Sequence, residues 1–280
     1  MGYKTLRDLN IGTGSKTFII AEAGINHNGS KDLALKMVDE VKAAGADAIK
    51  FQTYVTEKRA PADSPVFKIL KKCELSTDDQ REIKEYANKQ GLMFFSTPFD
   101  EESVNFLKSI GVPLIKVASF DIVNKKLLAE VAKTGIPVIF SRGMANKNEI
   151  DEAIKILSAN NVDFAILHCV SAYPAPIESV NLRIINSLKK AYDCVIGYSD
   201  HTLDIDASLY AVAMGAKIIE KHFTLDRKME GPDHVMSVDP ESLKKMCEKI
   251  RQLETMLGES EIVMSPAEKD IIIYRRPTEL

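Results

Sequence analysis

Short apolar runs recur along the chain and alternate with longer segments in which apolar residues lie three or four positions apart. The short runs are rich in β-branched and aromatic residues, which indicates strands. Eight of them are found, at residues 17–23 (TFIIAEA), 48–54 (AIKFQTY), 92–97 (LMFFST), 114–119 (LIKVAS), 137–141 (PVIFS), 164–170 (FAILHCV), 194–199 (CVIGYS) and 217–223 (KIIEKHF).

The segments between these runs predict helices. Residues 31–46 place Leu33, Met37, Val38 and Val41 on one stripe, and residues 78–91 and 100–111 have a similar pattern that closes with a glycine. Residues 146–160 end with an asparagine in the same way, and residues 240–260 predict the last helix.

Eight strands that alternate with helices predict parallel pairing, because hairpin connections would be far shorter. The expected fold is therefore a single-domain α/β structure, a (β/α)8 TIM barrel. An open doubly wound sheet is the alternative, but it usually has fewer strands, and no G-x-G-x-x-G or Walker A pattern follows any run. We assign residues 1–16 to an N-terminal extension, 17–260 to the barrel and 261–280 to a C-terminal tail.

Composition narrows the classes of partner. Hydrophobic residues make up 45% of the 280 residues and charged residues 28%, so a full core can form without disulfides. The formal net charge is −3 and no long basic run occurs, which argues against a nucleic-acid or membrane partner. The four cysteines are far apart and the N-terminal segment lacks a signal-peptide apolar stretch, so we expect a cytoplasmic protein with reduced thiols.

Polar residues follow every predicted strand. In such barrels the active site lies at the C-terminal ends of the strands, so these residues are the candidates for function. Lys and Glu are seldom buried without partners, which makes a purely structural role for this set improbable. In chain order they are Glu22, Asn26 and His27; Lys50 and Gln52; Ser96 and Thr97; Lys116, Ser119 and Asp121; Ser141 and Arg142; Ser171 and Tyr173; Ser199, Asp200 and His201; and Glu220 and His222.

Two lysines on different strands, Lys50 and Lys116, predict a site for a phosphate or carboxylate group. Ammonium groups would supply charge and nearby hydroxyls directional donors. These hydroxyls belong to Ser96, Thr97, Ser119 and Ser199. The alternative is that each lysine reaches the rim or pairs with Glu22 and Glu220.

His201 and His222 end neighbouring strands, and Glu22 lies on the strand that closes the barrel beside them. Two imidazoles with a carboxylate and water suit Mn²⁺, Zn²⁺ or Fe²⁺. The alternative is a pair of packed core histidines. His27 is either a third ligand or a loop residue, and Asp200 is a candidate to orient His201.

Two loops complete the pattern. Tyr173 precedes Pro174 in a stiff segment that suits either a substrate wall or an ordinary packed turn. Asp233 follows a Gly-Pro pair after the last strand, above the expected pocket, although an Asp in such a turn is usually a turn residue.

Seven motifs in register resemble the sialic acid synthase (N-acetylneuraminate synthase) family over about residues 17–260. They are AEAGINHNG, IKFQTY, FSTPFDEESVNFL, IKVASFDI, HCVSAYPAPIESVNL, IGYSDHTLDIDAS and IEKHFTLDRKMEGPDH. The resemblance implies a transferase that condenses phosphoenolpyruvate with an N-acylated amino sugar such as N-acetylmannosamine, giving a nine-carbon 2-keto sugar acid and phosphate. It also implies a divalent metal, with Mn²⁺ favoured over Mg²⁺ or Co²⁺, and a homodimer.

The resemblance also assigns roles. It places the metal on His201 and His222, and catalytic roles on Glu22, Lys50, Lys116 and Asp233. The phosphoenolpyruvate site falls on Lys50, Thr97, Lys116, Ser119 and Ser199, and the sugar site on Gln52, Asp121, Tyr173 and Asp233. Ser96 and Ser171, at the ends of their strands, complete the substrate-binding set that we predict.

Three departures from the family pattern bear on the function. Family members usually continue past residues like RRP into a small antifreeze-like domain that lends an Arg to the partner's sugar site, whereas this sequence ends at Leu280. Arg142 stands where Thr is common, and its expected partner is either a substrate anion or acyl group or an acid at the surface. Phe120 stands where Gly is frequent, which resembles the pseudaminic-type siblings.

Other functions stay open at this point. Legionaminic acid, pseudaminic acid and spore-coat polysaccharide synthases are similar siblings. A synthase that uses an aldose phosphate would need a second phosphate site at the pocket mouth, for which Arg59 and Arg142 are the main candidates. A non-catalytic barrel that binds a sugar or an anion is the third hypothesis.

Overall fold

The computed structural model describes residues 4–276, and in these residues eight parallel strands close into a barrel in sequence order. This confirms the predicted (β/α)8 fold. The strands are β1 (Phe18–Gly24), β2 (Ala48–Thr53), β3 (Met93–Pro98), β4 (Ile115–Val117), β5 (Val138–Ser141), β6 (Phe164–His168), β7 (Val195–Asp200) and β8 (Ile218–His222).

Ten α-helices surround the barrel in the described part of the chain. They are α1 (Lys31–Ala44), α2 (Thr56–Arg59), α3 (Pro65–Cys73), α4 (Thr77–Lys89), α5 (Glu101–Ser109), α6 (Lys125–Ala132), α7 (Lys147–Ser158), α8 (Ile184–Ala191), α9 (Asp206–Ala213) and α10 (Pro240–Leu257). Six of them begin at a Ser, Asn or Asp whose side chain accepts a hydrogen bond from the backbone three residues on: Ser30, Ser76, Asp100, Asn124, Asn146 and Asp239.

The predicted helix ends are correct to within a few residues. Gly45, directly after α1, has φ of 84°, the left-handed conformation that glycine adopts without strain. After α7 the left-handed residue is Asn161 rather than the predicted Asn160. The structure also contains α2 and α3 between β2 and α4, and α3 lies at the mouth of the barrel.

The core has two layers because successive side chains of a strand point to opposite faces. Outward residues such as Ile19, Ile49 and Phe94 pack with the apolar sides of the helices. Inward residues such as Ile20, Phe95 and Ile139 form a second cluster in the barrel, and the N-terminal residues Leu6, Leu9 and Ile11 join it.

The N-terminal extension therefore closes the bottom of the barrel. Leu6 and Leu9 belong to or flank a short 3-10 turn, and the backbone N–H of Leu6 donates to Asp163 Oδ2 at 2.6 Å. This closure leaves the opposite end of the barrel, where the strands end, for the site.

The segment after α10 lies outside the buried core. Residues 259–276 are exposed throughout, and they include the apolar side chains of Ile262, Val263, Ile273 and Tyr274. Within residues 4–276, none of the helices combines the length and the hydrophobicity that crossing a membrane requires.

Candidate functional site

A cavity of about 310 Å³ opens at the C-terminal ends of the strands. Eleven residues predicted from the sequence line it: Glu22, Lys50, Gln52, Thr97, Lys116, Ser119, Tyr173, Ser199, His201, His222 and Asp233. Strand register explains this convergence, because Glu22 pairs with Lys50 on one side and with His222 on the other, and Ser199 pairs with Glu220. These side chains therefore form one layer across the barrel.

Two lysines and two glutamates form the floor of the cavity. Lys50 Nζ lies 2.6 Å from Glu22 Oε2 and 3.7 Å from Glu220 Oε2, and Lys116 Nζ lies 3.6 Å from Glu220 Oε1. All four residues are at most 4% exposed. The lysines do pair with the glutamates, as the alternative interpretation held, but they do so inside the cavity and not at its rim.

Hydroxyl groups surround these charges. Lys116 Nζ donates to Ser141 Oγ at 2.7 Å, and Lys50 Nζ donates to Thr97 Oγ1 at 3.2 Å. Ser199 Oγ donates to Glu220 Oε1 at 2.9 Å. The floor therefore combines ammonium groups with hydroxyls, the donor set that phosphate and carboxylate groups require.

The two glutamates have opposite pKa shifts. Burial raises the pKa of Glu22 to about 7; Lys50 opposes this rise and Glu220 reinforces it. Burial also acts to raise the pKa of Glu220, but the charges of Lys116 and Lys50 outweigh it and lower that pKa to about 2. At neutral pH, Glu220 is thus a fixed anion, whereas Glu22 can take up or release a proton.

The two predicted metal-binding imidazoles lie side by side, with ring centroids 5.6 Å apart. His201 Nδ1 lies 2.6 Å from the carbonyl oxygen of Val170, so Nδ1 carries the proton and Nε2 keeps its lone pair, with Ser199 Oγ 3.4 Å away from it. Burial lowers the pKa of both His201 and His222, which keeps the rings neutral. His222 Nδ1 is buried without a hydrogen-bond partner among the described residues and lies 3.8 Å from Asp233 Oδ2.

Neutral imidazoles with free lone pairs fit a divalent metal. Within residues 4–276, no group of three or more His, Cys, Asp or Glu side chains is arranged as a metal site. Any metal would therefore rest on the two imidazoles, with further ligands from substrate or water. Of the carboxylates near His222, Asp233 rather than the predicted Glu22 is the one found within 4 Å.

The loop after β1 contributes Ile25 to the cavity lining and is tied to a neighbouring loop by Asn26. The side chain of Asn26 donates to the carbonyl oxygen of Phe223 at 2.8 Å and to Ser237 Oγ at 2.9 Å, which ties this loop to the one after β8. His27 Nδ1 accepts from the N–H of Gly29 at 3.1 Å and does not line the cavity. Of the two alternatives for His27, the structure favours the loop residue.

Gly29 explains the end of this loop. It has φ of 77°, and a Cβ atom there would lie 2.2 Å from the carbonyl oxygen of Lys72. Only glycine allows the loop to approach the end of α3 this closely.

A buried ion pair behind the barrel wall positions His201. Lys221 and Asp200 are fully buried, and Lys221 Nζ lies 3.0 Å from Asp200 Oδ2. Lys221 Nζ also donates to the carbonyl oxygens of Thr202 and Asp204, at 2.6 and 2.7 Å, while Asp200 Oδ1 accepts from the N–H of Thr202 at 2.9 Å. Asp200 thus orients His201 through the backbone that follows it, since the imidazole itself bonds to Val170.

Three predicted substrate-binding residues do not line the cavity. Ser96 lies on the outer face of the barrel, where its Oγ is 2.7 Å from Thr53 Oγ1, because its neighbour Thr97 faces inward; the structure corrects this prediction. Ser171 supports Ser119, with the two Oγ atoms 2.8 Å apart. Asp121 lies outside the lining, half-buried, and burial raises its pKa against the opposing charge of Arg59.

Arg142 meets neither an anion nor a surface acid. Its Nε donates to His168 Nδ1 and its Nη1 to the carbonyl oxygen of Ala145, both at 3.3 Å. The side chain points away from the cavity because Ser141, one residue earlier, points into it.

Glu220, Ser141 and Arg59 also line the cavity, although the sequence predicts Glu220 and Ser141 only as strand-end candidates without a specific role and Arg59 only for a second phosphate site. The first two do end strands, and alternation along β5 and β8 indicates that they face inward. Arg59 lies on α2, where strand patterns give no information. Its Nη1 donates to Gln52 Oε1 at 2.9 Å, and its guanidinium stacks 3.6 Å from the ring of Phe99.

Comparison with known proteins gives a consistent result. A model of the NeuB family matches residues 37–262. An uncharacterized protein from Methanocaldococcus jannaschii is 50% identical, over 96% of this chain and 80% of that protein. The N,N'-diacetyllegionaminic acid synthase of Campylobacter jejuni is 42% identical, over 93% of this chain and 84% of its own.

A solved structure extends the likeness to three dimensions. The crystal structure of N-acetylneuraminic acid (sialic acid) synthetase from Leptospira borgpetersenii serovar Hardjo-bovis, in complex with citrate, has a TM-score of 0.91 and 42% identity. The match covers 95% of this chain and 93% of that chain.

The ion pair behind His201 yields a stability prediction. Lys221→Met leaves the Asp200 carboxylate buried without its charge partner, so we expect the free energy of unfolding to fall by about 3–5 kcal/mol in urea titration. Lys228→Met, at an exposed position in the loop that follows β8, should change it by less than about 0.5 kcal/mol. The double variant Asp200→Asn/Lys221→Met should recover part of the loss; no recovery would show that the charge is not the cause.

Proposed function

Because this chain belongs to the NeuB family, we propose that it condenses phosphoenolpyruvate with an N-acylated amino sugar such as N-acetylmannosamine, to give a 2-keto sugar acid and phosphate. The matched family and the named synthases among its relatives confirm the predicted resemblance and the enzyme class. The single observation that carries the reaction is that two buried lysines, two neutral imidazoles and two carboxylates with opposite pKa shifts meet in one cavity.

Phosphoenolpyruvate suits the floor of the cavity. Each lysine ammonium has three donors. Lys50 Nζ uses two of them on Glu22 and Thr97, and Lys116 Nζ uses two on Ser141 and the carbonyl oxygen of Val117, so one donor of each lysine is left for a ligand. These donors, with the hydroxyls of Ser119 and Ser141, can hold the phosphate and carboxylate groups in a fixed orientation. Fixing both groups turns C3 of the enol towards the acceptor, which is how positioning accelerates a two-substrate reaction.

The acceptor suits the space above the floor. His201 and His222 are the residues that would hold a divalent metal, and we retain Mn²⁺ as the proposed ion because the oxygen ligands that substrate or water would add suit it. When bound, such a metal would polarise the aldehyde of the open-chain sugar as a Lewis acid. Gln52, Tyr173 and Asp233 line the same part of the cavity, and burial raises the pKa of Asp233, so its carboxyl can protonate or orient a sugar oxygen.

The reaction has three steps. C3 of phosphoenolpyruvate attacks the aldehyde carbon, forming the C–C bond, and the aldehyde oxygen takes a proton from the Asp233 carboxyl. Water then adds to C2, and Glu22 accepts the proton that this water loses. The resulting tetrahedral carbon releases phosphate by C–O cleavage, its hydroxyl proton passes to the departing phosphate, and the 2-keto group remains; Glu22 and Asp233 return to their starting protonation states through solvent. Lys50 and Lys116 neutralise the departing phosphate.

We also propose a cellular compartment and an oligomeric state for the protein. Cys73, Cys169, Cys194 and Cys247 are free thiols, which fits the reducing cytoplasm. We retain the homodimer of the resemblance as a proposal, which light scattering of the purified protein tests. Residues 261–276 of the predicted tail are exposed. The assignment of residues 261–280 to a separate tail stays a prediction.

The direct test is phosphate release from phosphoenolpyruvate in the presence of Mn²⁺ and N-acetylmannosamine. We expect release that depends on both substrates, and Lys116→Met to weaken phosphoenolpyruvate binding by at least about 100-fold, because one buried ammonium is lost. Calorimetric titration measures the binding. The exposed Lys108→Met is the matched control and should bind normally; normal titration of Lys116→Met would contradict the role of this lysine.

The raised pKa of Glu22 predicts a pH dependence. The carboxylate form accepts the proton from water, so kcat/KM, which reports the pKa of the free enzyme, should rise with pH up to about 7 and level off above it. Glu22→Gln should lower kcat by about 10²–10⁴-fold and remove this acid limb. The exposed Glu82→Gln should keep the wild-type profile. An unchanged limb in Glu22→Gln would assign the titration to another group.

The imidazole pair predicts a metal site. His201→Asn should weaken Mn²⁺ binding by at least about 10-fold, measured as free Mn²⁺ by electron paramagnetic resonance. His168→Asn replaces an imidazole that is equally buried but outside the cavity, and it should leave Mn²⁺ affinity unchanged. Equal loss in both variants, or in neither, would remove His201 from the metal site.

A further inference from the structure

Arg59 is a cation in the cavity wall to which the proposed reaction assigns no step. It is half-buried, and it lines the cavity from α2. A cation removed from water usually faces a carboxylate. The side-chain hydrogen bond that the structure shows for Arg59 goes instead to a neutral amide, since Nη1 donates to Gln52 Oε1 at 2.9 Å. Gln52 is thus the residue through which Arg59 is coupled to the rest of the site.

The Gln52 side chain bridges Arg59 and Glu22. Its oxygen accepts from Arg59, and its Nε2 donates to Glu22 Oε1 at 3.4 Å. A guanidinium has five N–H donors and no acceptor, and it keeps its proton in proteins. Were the two ends of the amide exchanged, its NH2 group would face these donors and its oxygen would face a carboxylate oxygen. The contact with Arg59 therefore fixes which end of the amide points to Glu22.

The nitrogen end of the amide faces the proposed acid and base. A Cβ atom built on Gly24 would lie 3.4 Å from Gln52 Nε2. The same atom would lie 3.3 Å from Glu22 Oε1 and 3.7 Å from Asp233 Oδ2, so these three polar atoms surround one point beside β1. Nε2 has two hydrogens, and one is directed to Glu22. For the other the structure shows no partner within residues 4–276, and it is available to an oxygen of the sugar.

Two aromatic rings hold the guanidinium in place. Arg59 Cζ lies 3.6 Å from the ring centre of Phe99 and 4.6 Å from that of Tyr54. The two rings meet edge to face at 6.3 Å, and the Tyr54 hydroxyl donates to the carbonyl oxygen of Leu70 in α3 at 2.9 Å. A guanidinium that stacks on aromatic rings loses little further freedom when it binds the amide, which makes it a rigid support.

We propose that Arg59 is a positioning residue, which holds the NH2 group of Gln52 towards the reacting groups so that Gln52 meets the sugar as a hydrogen-bond donor. The inference rests on the proposed function, because it takes Gln52 as part of the sugar site. It adds to that function a residue that acts on the sugar only through the side chain of another residue.

The kinetic test compares the wild-type protein with Arg59→Met and Gln52→Met, using N-acetylmannosamine and phosphoenolpyruvate. Methionine keeps an unbranched side chain at both positions and removes the hydrogen bond. We expect Arg59→Met to raise the KM for the sugar by at least about 10-fold and to leave the KM for phosphoenolpyruvate within about 2-fold of wild type. A general loss of structure would raise both KM values. Arg59→Lys should recover part of the affinity for the sugar, since an ammonium still donates to Gln52 Oε1.

The double variant separates positioning from direct contact. If Arg59 acts through Gln52, then Arg59→Met has nothing left to position in a Gln52→Met background, and it should change the sugar KM by less than about 2-fold there. Effects that multiply would show that Arg59 contacts the sugar itself, and they would overturn the inference.

Arg81→Met is the matched control. Arg81 is an exposed arginine on α4, outside the cavity lining, and its guanidinium also lies over an aromatic ring, 5.3 Å from the ring centre of Phe106. This substitution removes a stacked guanidinium that has no part in the site, so it should leave both KM values unchanged. A rise of the sugar KM in Arg81→Met equal to that in Arg59→Met would overturn the inference.

The orientation of the amide is also measured without turnover. The side-chain NH2 signals of Gln52 in two-dimensional proton–nitrogen NMR spectra are identified by their absence in Gln52→Met. We expect Arg59→Met to shift or broaden these signals and Arg81→Met to leave them in place. Unchanged signals in Arg59→Met would contradict the inference. If the wild-type protein releases no phosphate with the sugar, the proposed function fails, and these signals still decide whether Arg59 fixes the amide.

Discussion

The structure depends on burying four charged side chains in one layer of the barrel. Removing an isolated ammonium or carboxylate from water costs several kcal/mol, so Lys50, Lys116, Glu22 and Glu220 can remain there only by neutralising one another. The balance is incomplete, because Glu220 serves both lysines at long distance while Glu22 is left with a raised pKa. A buried set with one carboxyl near its titration point and a spare ammonium donor on each lysine has the chemistry that the proposed reaction requires, a site for an anion and a group that can move a proton.

The rest of the fold keeps this layer rigid and dry on one side. Leu6, Leu9 and Ile11 close the bottom of the barrel, so the charges face the upper opening. Behind the wall, the pair of Lys221 and Asp200 fixes the backbone that follows His201. Groups built on strands and held by a second set of contacts keep their positions better than groups on free loops, which is what positioning two substrates requires.

Much of the site could be predicted from the sequence because barrel strands share one end and alternate their side chains. Lys50 and Gln52 are two apart, and both face inward. The same rule shows where the prediction went wrong, since of the neighbours Ser96 and Thr97 only one can face the cavity. It also accounts for Arg142, which follows the inward Ser141 and therefore points outward to His168.

Other features had no pattern to reveal them. Arg59 reaches the cavity from the four-residue helix α2. Helix α3 shapes the mouth, and the C-terminal end of α3 packs against Gly29 in the loop after β1. The pattern of strand ends predicts only the side chains that lie at the level where the strands end. The polarity of the cavity changes with depth, from paired charges at the floor to imidazoles and then to apolar side chains, and this gradient exists only in the folded chain.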